Sequence, residues 1–228
     1  MFDGLRRLGE IDPLARRAAG DIAAVHRHPA SLRRFEVTAS ESALRGARSG
    51  ALIDAPLGDP VSGARVLEGG VGPYAVLAPG SAEATARTWA RAPLQVLARL
   101  DVLAGGTGLP GEGAAGRLRL LGEAVRAGGD DALVPQVVHA EIAARGLFGP
   151  RSGAVARVAA RVAAMASGLD PRGLAVPEPY LYRNRAGYRA ALGGYASGAP
   201  EGVSALVELL LRAWIDGARE AGAIADAA

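Results

Sequence analysis

Apolar residues recur at three- and four-residue steps through most of this chain, the spacing of one face of an α-helix. Leu14, Ala18, Ile22 and Val25 form the first such stripe, after Pro13, whose fixed φ suits a first helical turn. A second helix is predicted over residues 40–52. Pro93 opens a stripe of Val96, Leu100 and Leu103, and Leu118, Leu121 and Val125 mark another. Pro135 opens a helix that carries His139. Ser152 is placed to cap a helix with Val155, Val158, Val162 and Met165 on one side, stopped by Gly168 and Pro171. Tyr188, Leu192 and Tyr195 mark the next helix, and Val203, Val207, Leu210 and Trp214 a last, long one.

No series of alternating positions suggests strands, so the class is all-α. Residues 55–80 are rich in Gly and Pro and lack a period. A structureless stretch of that length inside a domain is unusual, so short helical or extended pieces are expected near 59–67 and 74–77. The chain divides into an N-terminal helical arm, residues 1–80, and a helical core, residues 81–228, which together form one compact unit.

Composition supports a folded helical protein. Half of the 228 residues are apolar, 21% are charged and only 4% are aromatic, so packing must rely on Leu, Val and Ala. All 26 basic residues are Arg, with no Lys and no Cys, a usage that suggests a GC-rich bacterial genome. Without Cys there are no disulfides and no thiolate metal sites, and no spaced His and acidic residues suggest another metal site. A net charge of +3 is small, and the doublets Arg6–Arg7, Arg16–Arg17 and Arg33–Arg34 lack interleaved aromatics, so they read as solvated helix faces rather than a nucleic-acid surface. The N-terminus has no apolar leader core, and no run of about 18 apolar residues occurs. A soluble cytoplasmic protein without membrane attachment is the expectation.

The chemistry-bearing stretch runs from His139 to Arg157, HAEIAARGLFGPRSGAVAR. It reads as a helix, a short loop around residues 148–153, and a second helix starting at the loop's end. A helix N-terminus after a tight turn presents unpaired N–H groups and the positive end of a dipole, which suits an anion. The candidate binding residues are therefore Arg151, Ser152, Gly153 and Arg157. Phe148 is expected to plug the core beneath the loop. His139 reads first as a hydrogen-bonded core histidine and Arg157 first as a loop-locking ion pair. For Arg151, a solvated charge and an anion contact are equally open.

This stretch resembles the signature loop of the Fic (Fido) family, HPFxxGNGRxxR. Phe148, Gly153 and Arg157 match that pattern, and Ser152 stands where Asn is expected. Gly146 stands at the family's catalytic His, Leu147 replaces Pro, Arg151 replaces the first Gly, and Ala154 replaces the first Arg. His139 lies seven residues ahead of Gly146, where members often carry another His. Arg185, Tyr188 and Leu192 reproduce a pattern of a later family helix, and Pro110–Gly111–Glu112 resembles an earlier turn. The family's inhibitory motif is matched at Ser49, with Ile53 in place of its Glu and Asp54 following; in the family that Glu commonly meets the second motif Arg, so the resemblance implies Asp54 or another nearby acceptor as the partner of Arg157. The resemblance spans roughly residues 40–215 and is nearest to degenerate actinobacterial Fic-like proteins, some of which are labelled oxidoreductases.

The family transfers AMP or a related phosphate-containing group to protein hydroxyls. The resemblance implies a Fic-like helical bundle with an inhibitory-helix-like segment in its N-terminal arm. It also implies that the transfer chemistry is lost. Gly146 offers no base, a role worth about 10²–10⁴ in rate. Pro150 replaces the acidic ligand that would hold Mg²⁺. Ala154 removes a guanidinium that would grip phosphate. The expected role is non-catalytic: a regulatory protein that holds a partner protein or a phosphate-containing ligand, ATP or another nucleotide included, without a protein-supplied Mg²⁺ ligand. The alternative is an active nucleotidyl or phosphoryl transferase with altered residues, in which His139 and Arg151 would substitute. A third reading is a structural helical domain with an interface between copies of the chain, a homo-oligomer.

One motif is set aside. Gly106-Thr-Gly108-Leu-Pro-Gly111 fits GxGxxG, but a helical pattern precedes it and Pro110 interrupts it, whereas a dinucleotide site needs a strand before the glycines. It is read as a helix–helix turn.

Overall fold

The computed structural model describes residues 2–55 and 72–228. Among them are twelve α-helices and no strand. In chain order the helices are α1 (Phe2–Arg6), α2 (Ile11–His26), α3 (Pro29–Arg33), α4 (Phe35–Asp54), α5 (Pro79–Arg91), α6 (Pro93–Leu103), α7 (Ala115–Ala127), α8 (Val134–Ala144), α9 (Ser152–Ser167), α10 (Glu178–Arg183), α11 (Arg185–Ala196) and α12 (Pro200–Ala227). Short 3-10 helices cover Pro73–Leu77 and Gly149–Arg151. The piece expected at 74–77 is thus 3-10 helix, and the one at 59–67 lies outside the described residues. Among the described residues no helix is long and apolar enough to cross a membrane.

Helix starts are set mainly by proline. Pro29, Pro79, Pro93, Pro135, Pro179 and Pro200 lie in the first two positions of their helices. There the missing N–H costs nothing. Glycine ends others: Gly168, at φ +91°, closes α9 in the left-handed conformation. Two helices begin earlier than the apolar pattern suggests. α2 starts at Ile11, so Pro13 sits inside its first turn. α4 starts at Phe35, where Arg172 covers the Phe35 ring and Thr38 Oγ1 donates to the Phe35 carbonyl.

α9 is the central element. From Val155 to Ala164 every residue is buried, which an Ala- and Val-rich helix permits because small side chains let neighbours approach on all sides. α8, α5, α4 and the Pro73–Leu77 turn pack around it. α12 packs along α2 and α11. The core joins residues from both sides of position 80: Ala43, Ala47 and Tyr74 share a cluster with Phe148 and Val158, and Ile11 and Ile22 share one with Leu211 and Trp214.

Candidate functional site

The loop between α8 and α9 is closed by its own backbone. Gly146 (φ +63°) and Gly149 (φ +57°) take left-handed conformations that let the chain reverse within a few residues. Leu147 and Phe148 point into the core, so Phe148 is the plug its position suggests. Ser152 Oγ accepts from the Phe148 N–H at 2.8 Å and donates to the Gly149 carbonyl at 2.7 Å. Ser152 is therefore not the N-cap that its place in the sequence suggests. The Gly149–Arg151 turn runs straight into α9, and the Ser152 N–H donates to the Gly149 carbonyl. The Arg151 N–H likewise donates to the Phe148 carbonyl. Of the amides expected to be open to an anion, that of Ser152 is thus spent on the loop itself.

Arg151 is also engaged. Its Nε donates to Asp101 Oδ1 at 2.6 Å, and Asp101, on α6, is fully buried. The other Asp101 oxygen accepts the Gly108 N–H at 2.9 Å. A Cβ on Gly106 would collide with Asp101 Oδ2 and Arg151 Nε. The GxGxxG-like segment is indeed a turn between α6 and α7, and its glycine at 106 makes room for this ion pair. Nothing in the sequence singled out Asp101, because an acid beside an apolar stripe looks like a solvated charge until the neighbouring elements close over it.

Arg157 lies one turn into α9 and is 2% exposed. Its Nη2 donates to Asp54 Oδ2 at 2.5 Å and to the Gly50 carbonyl at 3.3 Å. Its Nε and Nη1 have no partner among the described residues. Gly153 lies against the same pair: a Cβ there would stand 3.1 Å from Asp54 Oδ1 and 3.2 Å from Arg157 Nη1. Asp54, Gly153 and Arg157 therefore meet, whereas Ser49 lies half-buried one position off the contacting face of α4 and Arg151 faces Asp101.

The contact is built from a stripe of small residues. Ser42, Gly46, Gly50 and Asp54 repeat every four residues along α4, which puts them on one face. That face covers Tyr74, Arg157 and Arg161. A Cβ at Gly50 would lie 2.6 Å from the Tyr74 hydroxyl, and one at Gly46 would lie 2.5 Å from Arg161 Nη1. Arg161 donates to the carbonyls of Ser42 (3.3 Å) and Gly173 (3.0 Å) and lies 3.7 Å from the fully buried Glu178. Sequence reading missed Arg161, Tyr74 and Glu178. The four-residue spacing from Gly153 through Arg157 to Arg161, opposite an equal spacing of glycines on α4, is the signal that could have found the first of them.

The protonation states follow from burial. Burial, and then the positive charge of Arg157, lower the His139 pKa to about 3, so the ring is neutral at pH 7. His139 Nε2 lies 2.7 Å from the Tyr188 hydroxyl. Burial pushes the Tyr188 phenol up to about 12, against the opposing pull of Arg157. Burial disfavours the Arg157 cation, but Asp54, Tyr74 and Tyr188 outweigh that and raise its pKa further. His139 is thus a neutral, buried group at pH 7. Among the described residues, its chain neighbours aside, nothing lies within 4 Å of where a Gly146 side chain would begin. No group of three or more His, Cys, Asp or Glu suited to a metal occurs among the described residues.

Comparison with protein-family models, curated proteins and solved structures finds no match to this chain.

Proposed function

We propose that this is a Fic-like protein that has lost group transfer and acts as a binding or regulatory protein for a phosphate-containing ligand or a partner that presents one. The Arg157–Asp54 pair carries this reading. A buried guanidinium one turn into α9 keeps two nitrogens unpartnered among the described residues and is neutralised by a single carboxylate that is 47% exposed on its side chain. Asp54 stands where an anion would sit, touching both Arg157 and the Gly153 position. A phosphate oxygen could take its place and use the same donors, aided by the dipole of α9. Gly146 supplies no base and His139 is held neutral in the core, which argues against the transferase alternative.

Calorimetric titration of the wild type and Asp54→Ala with ATP, CDP-choline and inorganic phosphate, with and without magnesium, tests this. Removing the internal competitor should reveal or tighten binding, and Arg157→Met should abolish it. Equal absence of binding in a folded Asp54→Ala protein would overturn the reading.

A further inference from the structure

An apolar ridge runs along α6 and the turn after it. Leu94, Ala98 and Val102 recur every four residues and so share one side of α6, opposite the buried Val96 and Leu100. Leu94 is 42% exposed, Val102 53% and Leu109, on the following turn, 68%. These form one strip. A Cβ on Gly108 would stand 3.1 Å from Val102 Cγ2 and 3.8 Å from Ala98 Cβ, so the turn closes on α6 just before Leu109. At the other end Leu94 packs on Gly122 of α7, whose Cβ position lies 3.4 Å away. Single exposed leucines are ordinary, but a contiguous strip marks a contact surface.

Arginines flank the strip. Arg91 ends α5 three residues before Leu94, Arg99 follows Ala98 on the exposed side of α6, and Arg119 and Arg126 lie on α7 three and four residues either side of Gly122. Arg126 Nε donates to the Gly122 carbonyl at 3.4 Å, which holds it near Leu94. All four are exposed and none is in an ion pair among the described residues, whereas Arg87 takes Glu83 and Arg151 takes Asp101. The exposed acids between positions 91 and 127 are Glu112 and Glu123, so positive charge is in excess.

We propose that this face docks on the headgroup layer of an anionic lipid bilayer, with Leu94, Val102 and Leu109 entering between headgroups and the four arginines on lipid phosphates. Such contact lies along the surface and needs no spanning helix. Apolar burial and the attraction of cations to anionic lipid act together there, and arginine reaches a phosphate while its stem stays in apolar surroundings. Charge and shape disfavour the other occupants. A two-fold interface between copies would set the four arginines against themselves. A nucleic acid would use the arginines but leave the leucines in water, and no aromatic residue of the strip offers a stacking surface. A ridge fits a folded partner only where that partner has a matching groove, whereas headgroups rearrange around it. This face is independent of the reading given for Arg157.

The test is cosedimentation of the whole chain with vesicles of equal parts phosphatidylglycerol and phosphatidylcholine, beside vesicles of phosphatidylcholine alone. Saturable binding to the first at about 0.05 M salt is expected, mostly lost at about 0.5 M, with little binding to the second. Leu109→Ser should weaken binding by about tenfold and Arg99→Gln by about fivefold. Leu120→Ser and Arg27→Gln are matched controls that should bind as wild type does. Both residues are exposed, Leu120 on the far side of α7 from Gly122 and Arg27 on another element. All four positions are exposed, so folding is not at stake. The proposal is overturned if the anionic vesicles bind no protein, if Leu109→Ser binds as wild type does, or if the controls lose as much as Leu109→Ser and Arg99→Gln. Saturable binding of soluble polyglutamate without vesicle binding would assign the face to an acidic protein, and a dimer in sedimentation that Leu109→Ser abolishes would assign it to a second copy; either overturns the proposal.

Discussion

Arg157 and Asp54 are unequal partners: the guanidinium is 2% exposed and the carboxylate that neutralises it is 47% exposed, at an N···O distance of 2.5 Å. Losing the acid strands a buried cation, whereas losing the cation leaves an acid that water already reaches. Asp54→Ala should therefore destabilise the fold by about 2 kcal/mol, less than the 3–5 of a fully buried broken pair because water can replace part of the lost contact. Made on an Arg157→Met background, the same substitution should cost almost nothing. Urea unfolding of the two single variants and the double variant measures this. Equal costs of Asp54→Ala on both backgrounds would show that the pair is not coupled.

Gly50 and Tyr74 make a prediction against helix propensity. Alanine is favoured over glycine in a helix by about 1 kcal/mol. At Gly50 the added Cβ would lie 2.6 Å from the Tyr74 hydroxyl, so Gly50→Ala should lose about 1–3 kcal/mol instead. The Tyr74 hydroxyl has no partner among the described residues, so Tyr74→Phe should be close to neutral alone and should rescue much of Gly50→Ala. Melting temperatures of the three variants decide it, and a Gly50→Ala protein that melts higher than wild type would contradict the packing of α4.

Arg151 distinguishes an ion pair from a free ligand contact. A solvated loop arginine can be removed for about 0.5 kcal/mol or less. Here its loss leaves fully buried Asp101 with only neutral donors, so Arg151→Ala should cost about 3 kcal/mol. Arg151→Ala combined with Asp101→Asn should recover part of that loss, because the stranded charge is gone. Denaturant midpoints are the measurement. A neutral Arg151→Ala would indicate that the pair does not hold the turn between α6 and α7.

His139 links stability to pH. A histidine pKa near 6.5 in the unfolded chain falls to about 3 in the fold. Above pH 6.5 both states are neutral at this ring and it contributes no pH dependence. Below that, the unfolded state takes up a proton that the folded state refuses, so stability is lost as pH falls toward 3, at up to about 1.4 kcal/mol per unit. Between pH 6.5 and 5, above most carboxylate titration, His139→Gln should show a flatter stability profile than wild type. Parallel profiles would mean that the folded ring accepts a proton.

Absence of a base at Gly146, of an acidic ligand at Pro150 and of the arginine at Ala154 should together leave no transfer of labelled AMP from ATP and magnesium to lysate proteins. Groups that act as a unit are not replaced by keeping one of them. Labelling that depends on this chain and survives His139→Ala would overturn the proposed loss of transfer chemistry.

The sequence by itself located eight of the twelve helices among the described residues; α1, α3, α5 and α10 are too short or carry too weak an apolar stripe to be read from it. The apolar stripes of the eight follow the 3.6-residue period, and prolines and glycines mark many of their ends, both of which are local properties of the backbone. It also marked Phe148 for the core, and His139 with it, since each stands among apolar neighbours. Asp54 meets Arg157 from 103 positions away, a pairing that the resemblance led one to expect, but only the tertiary structure decided the fate of the other buried charges: Asp101 meets Arg151 from 50 positions away. An isolated acid or arginine has the same local signature whether it is solvated or buried. The packing of α4 on α9 encloses Arg157 and Arg161 beneath Gly46 and Gly50, and the closure of the 104–114 turn over α6 buries Asp101. Ser152 shows the same limit at short range: its place before an apolar stripe suits a cap, but the loop's own Phe148 N–H and Gly149 carbonyl claim its hydroxyl.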